Sequence, residues 1–252
     1  MEISQMTGEF NDKVAVVTGG SSGIGGALVK ELANLGCRTH FCSRHGDEFD
    51  LARQTSGLAM GAQCDLTNSS DVQSWISQII SHEGHIDYLV NNVAFDGRRN
   101  FEKATLEEFD KFIAVNLKAA FATTQAALPG LRAGTGRAIV NLGTTNWMLG
   151  LSPFTLYSSA KSGLVGFTRA LARELGPENI RANMVSPGWV MTKKQLEEYV
   201  TEQDKAELLR DQSLPFLLEE RHITPAIIFL LSQNAQAITG QNLVVDAGKY
   251  MQ

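Results

Sequence analysis

Tyr157 and Lys161 stand four residues apart in the stretch Tyr157-Ser158-Ser159-Ala160-Lys161. On a helix this spacing puts both side chains on one side, a turn apart. An ammonium beside a phenol favours the phenolate, so Lys161 is expected to draw the tyrosine pKa down from its ordinary value of about 10. Such a pair could move a proton at an oxygen-bearing carbon. The same spacing also arises by chance, as a packed tyrosine beside a solvated lysine. What separates the two readings is the chain that positions the pair.

That chain alternates short β-rich runs with longer helical stretches. Strands are expected over Lys13–Thr18, Arg38–Ser43, Leu58–Cys64, Asp87–Asn91, Arg137–Leu142, Arg181–Val185 and Asn242–Val245. The first reads KVAVVT, a continuous apolar run of the kind buried on both faces of a parallel sheet. Apolar spacing predicts helices over 23–35, 69–82, 105–130, 155–175 and 222–232. The alternation implies an α/β chain: one Rossmann-type domain over 1–252, a doubly wound, parallel, seven-stranded sheet with helices on both faces. The segment 44–57 leaves room for a helix of one or two turns. The charged stretch 189–213 reads as a lid over a substrate, or equally as a solvated helix pair.

The first strand runs into Thr18-Gly19-Gly20-Ser21-Ser22-Gly23-Ile24-Gly25. Ligands of such sheets sit beyond the carboxyl ends of the strands, and this turn is the usual phosphate site. Gly19 permits the tight turn, Gly23 lets backbone amides approach a pyrophosphate, and Gly25 lets the helix pack on the strand. The amides at the helix start then face the anion.

Composition narrows the rest. The 252 residues are 43% hydrophobic and 19% charged, with a net charge of -5 and a pI of about 5.6. No basic surface advertises nucleic acid, and no apolar run approaches a membrane span. The polar opening residues contain no apolar signal core. Cys37, Cys42 and Cys64 read as reduced, buried thiols of a cytoplasmic protein. The five histidines form no zinc pattern, and no metal site is expected.

With these motifs in order, the chain resembles the short-chain dehydrogenase/reductases over essentially its whole length. The matching residues are the glycine turn, Asp65, Asn91-Asn92, Asn116, Tyr157 with Lys161, and Pro187-Gly188 with Thr192. Cys42-Ser43-Arg44 and the glycine turn look like tropinone reductases. Asn141–Leu151 and Thr168–Pro177 look more like bacterial xylose and related aldose dehydrogenases.

The resemblance implies an NAD(P)(H)-dependent oxidoreductase with Tyr157 as general acid/base. It implies that Lys161 binds the nicotinamide ribose and that Asn116 holds a proton-relaying water. Taken by itself, Asn116 could equally be a core amide with backbone partners. The family's serine, thirteen residues before the tyrosine, is here Thr144, which keeps the hydroxyl but adds a methyl. Thr145 could supply that hydroxyl if the strand end is shifted. Asp65 is implied to face the adenine and Asn91 the adjacent ribose. Thr18, Ser21, Ser22, Ile24, Cys64, Leu66, Val93, Pro187, Gly188, Val190 and Thr192 complete the implied cofactor contacts. The family's Asn-Asn-Ala-Gly is here Asn91-Asn92-Val93-Ala94, so one glycine conformation is lost.

An NAD site places a carboxylate at the end of the second strand. That position is Ser43, followed by Arg44, a pair suited to a 2′-phosphate. NADP is therefore expected, with NAD the alternative. Asp96, Thr144, Asn146, Trp147 and Trp189 are expected to face a small-molecule substrate. Polar groups beside tryptophans suit a sugar or polyol; the alternatives are a ketone or 3-oxoacyl reductase, or a cofactor-binding sensor without catalysis. The family and the apolar run Ala119-Ala120-Phe121-Ala122 with Leu164, Phe167 and Leu171 suggest a homotetramer.

Overall fold

Buried runs of β-branched and small residues build one sheet in the computed structural model, which describes residues 8–44 and 57–251. Its strands are β1 Val14–Thr18, β2 Arg38–Ser43, β3 Ala59–Gln63, β4 Tyr88–Asn91, β5 Ala138–Leu142, β6 Arg181–Pro187 and β7 Asn242–Val245. All pair in parallel, in the order β3-β2-β1-β4-β5-β6-β7. Six of them lie within their expected segments, and β6 runs on to Pro187. The short helix expected over 44–57 lies outside the described residues.

Period-two alternation sends neighbouring side chains to opposite faces. Ala15 and Val17 enter one core with Leu28, Leu32, Ile223 and Ile227. Val14 and Val16 enter the other with Trp75, Ile76, Ala127 and Leu131. Helices cover both: α1 Gly23–Asn34, α2 Ser69–Glu83, α3 Leu106–Ile113, α4 Ala119–Ala133, α5 Asn146–Leu149, α6 Thr155–Leu175, α7 Lys193–Glu198, α8 Glu202–Asp211 and α9 Glu220–Leu231. No described helix is long and apolar enough to cross a membrane.

The helix expected over 105–130 is helical throughout and runs on to Ala133, with a change of pitch inside it. Between α3 and α4 a π-helical turn occupies Ala114–Lys118. Within it Asn116 returns its Nδ2 to the Phe112 carbonyl at 3.0 Å, in competition with the backbone ladder. The charged stretch after β6 folds as α7 and α8, and a capping box at Thr201/Asp204 starts the second of these.

The order of strands matters for function. The chain leaves β1 towards β2 and β3, then returns to β4 on the other side of β1. The two halves separate at the carboxyl ends of β1 and β4, which opens a crevice there.

Candidate active site

A cleft of about 1050 Å³ lies along that crevice, with the glycine turn at one end and Tyr157 and Lys161 at the other. The turn is built for close approach. Gly19 and Gly23 take left-handed φ values of 64° and 54°, which side chains rarely adopt. A Cβ on Gly25 would meet the Gly19 carbonyl oxygen at 2.2 Å. Ser22 precedes α1 in an extended conformation without capping the helix with its side chain. The first amides of α1 therefore have no protein partner in the helix and open on the cleft, a cradle that fits the pyrophosphate of a dinucleotide.

Of the residues singled out in the sequence, the cleft is lined by Gly19, Ser21, Ser22, Gly23, Ile24, Ser43, Arg44, Cys64, Asp65, Leu66 and Val93. Asp96, Thr144, Asn146, Tyr157, Lys161, Pro187, Gly188, Trp189, Val190 and Thr192 line it too. Thr18, Gly25, Asn91, Asn116 and Trp147 stand behind the wall. Thr18 Oγ1 accepts from the amides of Asn92 at 2.9 Å and Val93 at 3.2 Å, tying the end of β1 to the loop after β4. Asn91 is buried and donates from Nδ2 to Thr124 Oγ1 and Asn141 Oδ1. Trp147 is turned away because α5 is a single turn that shows Asn146 and Leu149, three apart, to the cleft.

Asn116 is 2% exposed. Its Nδ2 donates to the carbonyls of Phe95 and Phe112, each at 3.0 Å, and its Oδ1 accepts from Phe95 N at 2.9 Å. It fastens the loop after β4 to the helix below.

At the catalytic end, the Thr144 hydroxyl lies beside the Tyr157 phenol, and both line the cleft. Thr144 Oγ1 in turn donates to Asn146 Oδ1 at 2.9 Å. Lys161, wholly buried, donates from Nζ to the Leu142 carbonyl at 2.7 Å. The electrostatics run against the sequence expectation. Burial, and then the Asp96 charge, push the Tyr157 phenol up, and the neighbouring Thr144 hydroxyl offsets this only in part. Burial also brings Lys161 down to about 7, with Asp96 opposing. An ammonium as buried as this is itself destabilised, so Lys161 is charged, and able to favour the phenolate, only towards lower pH.

Asp96 joins this centre to the stretch after β6. Its carboxylate accepts from Lys194 Nζ at 2.7 Å and Gln195 Nε2 at 2.6 Å. Gln195 Oε1 then accepts from Trp189 Nε1 at 2.8 Å. Lys194, Gln195 and Phe154 all line the cleft and were not singled out in the sequence. Phe154 stands three before Tyr157, a spacing that could have flagged it; the others have no local signal. Among the described residues no cluster of His, Cys, Asp and Glu is placed to hold a metal.

Comparison with known proteins agrees with this geometry. Residues 19–249 match a family model described as enoyl-(acyl carrier protein) reductase. The chain is 36% identical over 240 residues to D-xylose 1-dehydrogenase of Caulobacter vibrioides, covering 94% of this chain and 95% of that one. It is 33% identical over 247 residues to "Probable galactose dehydrogenase GalD" of Rhizobium meliloti, covering 96% of each. A solved structure of a blue fluorescent protein from a metagenomic library, in complex with NADPH, superposes with a TM-score of 0.88 at 33% identity. It covers 96% of this chain and all of that one.

Proposed function

The chain belongs to the short-chain dehydrogenase/reductase family and is an oxidoreductase; from that premise we propose that it oxidises a sugar or polyol hydroxyl with NADP. The observation that carries this reading is the placement of Thr144 beside Tyr157 in the same cleft as the glycine cradle. The bound nicotinamide supplies the hydride acceptor in oxidation and the donor in reduction. Tyr157 takes the proton from the substrate hydroxyl, or gives it to the carbonyl oxygen in reverse. Thr144 orients that oxygen from a strand end fixed by Asn146. Oxidation requires the phenolate, and protonated Lys161, one helical turn away, favours it. Asn116 acts indirectly, holding the loop that carries Asp96.

The 2′-phosphate of NADP is assigned to Arg44, with Ser43 beside it, and the adenine end to Asp65. The Asp65 carboxyl is held low by the hydroxyl and amide of Thr67 and then by Arg44. The cradle amides of α1, with Ser21 and Thr192, take the pyrophosphate. We assign the single cofactor-binding domain to the whole chain and a lid role to 189–213. A sugar is favoured by its relatives' substrates, by Asp96 and Asn146 as hydroxyl partners, and by Trp189 as a stacking face. A homotetramer is supported by Phe121, 50% exposed and packed on Phe167 at 6.2 Å. Ala119, Ala120 and Leu164 of the same run are buried within the chain.

A panel of aldoses, polyols and cyclic ketones, assayed with both cofactors by the absorbance of reduced nicotinamide, tests the function. Turnover confined to cyclic ketones would move the protein to the ketone-reductase branch. No turnover of any member would retire the reading.

A further inference from the structure

Arg98, in the loop after β4, lines the cleft in an unusual setting. Its guanidinium carbon lies 4.6 Å from the Tyr199 ring centroid, 5.4 Å from Trp189 and 5.6 Å from Phe154. The three rings come from separate segments, at the end of α7, after β6 and before α6. Rings cover the flat faces of a guanidinium, while its five N–H donors project in the plane and remain available.

The other half-buried arginines use those donors. Arg181 donates to the carbonyls of Leu230, Leu231 and Ser232; Arg137 donates to Gly134, Glu178 and Arg132. Neighbouring Arg99 pairs with Glu108. Among the described residues, the Arg98 guanidinium makes no hydrogen bond and has no carboxylate within 4.0 Å. The nearby acids are engaged elsewhere. Asp96 is taken by Lys194 and Gln195; Asp204 feels the Arg98 charge but forms no ion pair with it, its Oδ2 accepting from the amide and hydroxyl of Thr201.

The Phe154 ring that stacks on Arg98 also packs against Tyr157, at 6.3 Å between centroids. The unused donors and the catalytic phenol thus flank one ring within one cleft. We propose that Arg98 receives a carboxylate of the substrate, so that the substrate is a sugar acid whose reacting hydroxyl lies at Tyr157. A planar fork of donors matches a carboxylate. A phosphate dianion fits less well, because α7 and α8 line the cleft with Glu197, Glu198, Asp204, Glu207 and Asp211 against Lys193 and Lys194 alone. The carboxylate takes no part in the oxidation; it sets which molecule is held. This inference rests on the dehydrogenase reading above.

The test compares substrates that differ in a carboxylate for a hydroxymethyl group: D-galacturonate with D-galactose, and D-glucuronate with D-glucose. The wild type should prefer the acid of at least one pair. Arg98→Met should lower the acid-to-neutral ratio of kcat/KM by roughly tenfold to a hundredfold, mostly through KM. Arg98→Lys should recover part of it. If both members fall equally, Arg98 is only a rivet between three rings and the proposal is overturned. Neutral sugars turned over in preference to their acids, or a sugar 6-phosphate in preference to both, would overturn it while leaving the dehydrogenase reading intact. If nothing turns over, titration of tryptophan fluorescence with the same pairs decides the matter, since Trp189 covers Arg98. Tighter binding of an acid than of its neutral partner supports the site, and equal binding ends it.

Discussion

The Tyr157 phenol has the Thr144 hydroxyl beside it, whereas the next hydroxyl, Thr145 Oγ1, turns to the Pro187 carbonyl at 3.4 Å. One residue of register at the end of β5 thus separates a hydroxyl beside the proton carrier from one that ties β5 to β6. Thr144→Ala should cost on the order of a hundredfold in kcat, the scale of losing one polarising donor. Thr144→Ser should keep most activity, and Tyr157→Phe should abolish it with cofactor binding nearly intact. Steady-state kinetics checks the series. A larger loss in Thr145→Ala than in Thr144→Ala would reverse the assignment.

The Asp96 charge raises both Tyr157 and Lys161. Asp96→Asn should therefore move the rise of kcat/KM for alcohol oxidation to lower pH, because the phenolate becomes easier to form. An Asp96→Asn pH profile superimposable on the wild type would show that this charge does not reach the reacting tyrosine.

Lys161 carries a stability consequence with a definite sign. Its folded pKa of about 7 lies below the ordinary lysine value of 10.5. Between these values the unfolded chain binds a proton that the native chain lacks, so this group makes stability rise with pH. Below about 7 both states are protonated and the full cost of the buried charge is present. The thermal midpoint of the wild type relative to Lys161→Met should accordingly improve from pH 7 to about pH 9. A constant or declining difference across that window would contradict the buried-ammonium account.

Arg44 is exposed at the rim of the cleft, and its charge is felt at Asp65. Arg44→Ala should weaken NADP binding about tenfold to a hundredfold, the scale of one charged hydrogen bond, with little change for NAD. Calorimetric titration with both cofactors checks it. Equal losses would make Arg44 structural.

Phe121, half exposed on α4, tests the assembly. The wild type should scatter light as a tetramer at micromolar concentration, and Phe121→Glu should give a smaller species without loss of helical content. A wild-type monomer would remove the proposal.

Features encoded locally were legible in the sequence. The continuous apolar run of β1, the glycines at Gly19, Gly23 and Gly25, and the four-residue Tyr157/Lys161 spacing depend on backbone period and chain neighbours. A sequence displays these directly, and so seven strands and the start of α1 could be placed from it. What only the tertiary structure decided depends on distant segments meeting. Thr144 rather than Thr145 faces Tyr157 because β6 takes the latter's hydroxyl. Trp147 leaves the cleft because α5 is a single turn. Lys161 is brought down to about 7 because it is wholly buried, an environment no spacing reveals. The contacts of Arg98 with Phe154, Trp189 and Tyr199, and of Asp96 with Lys194, join residues remote in the chain. Local pattern fixes which way a side chain leaves its own backbone, but burial and charge are summed over whatever the fold brings near.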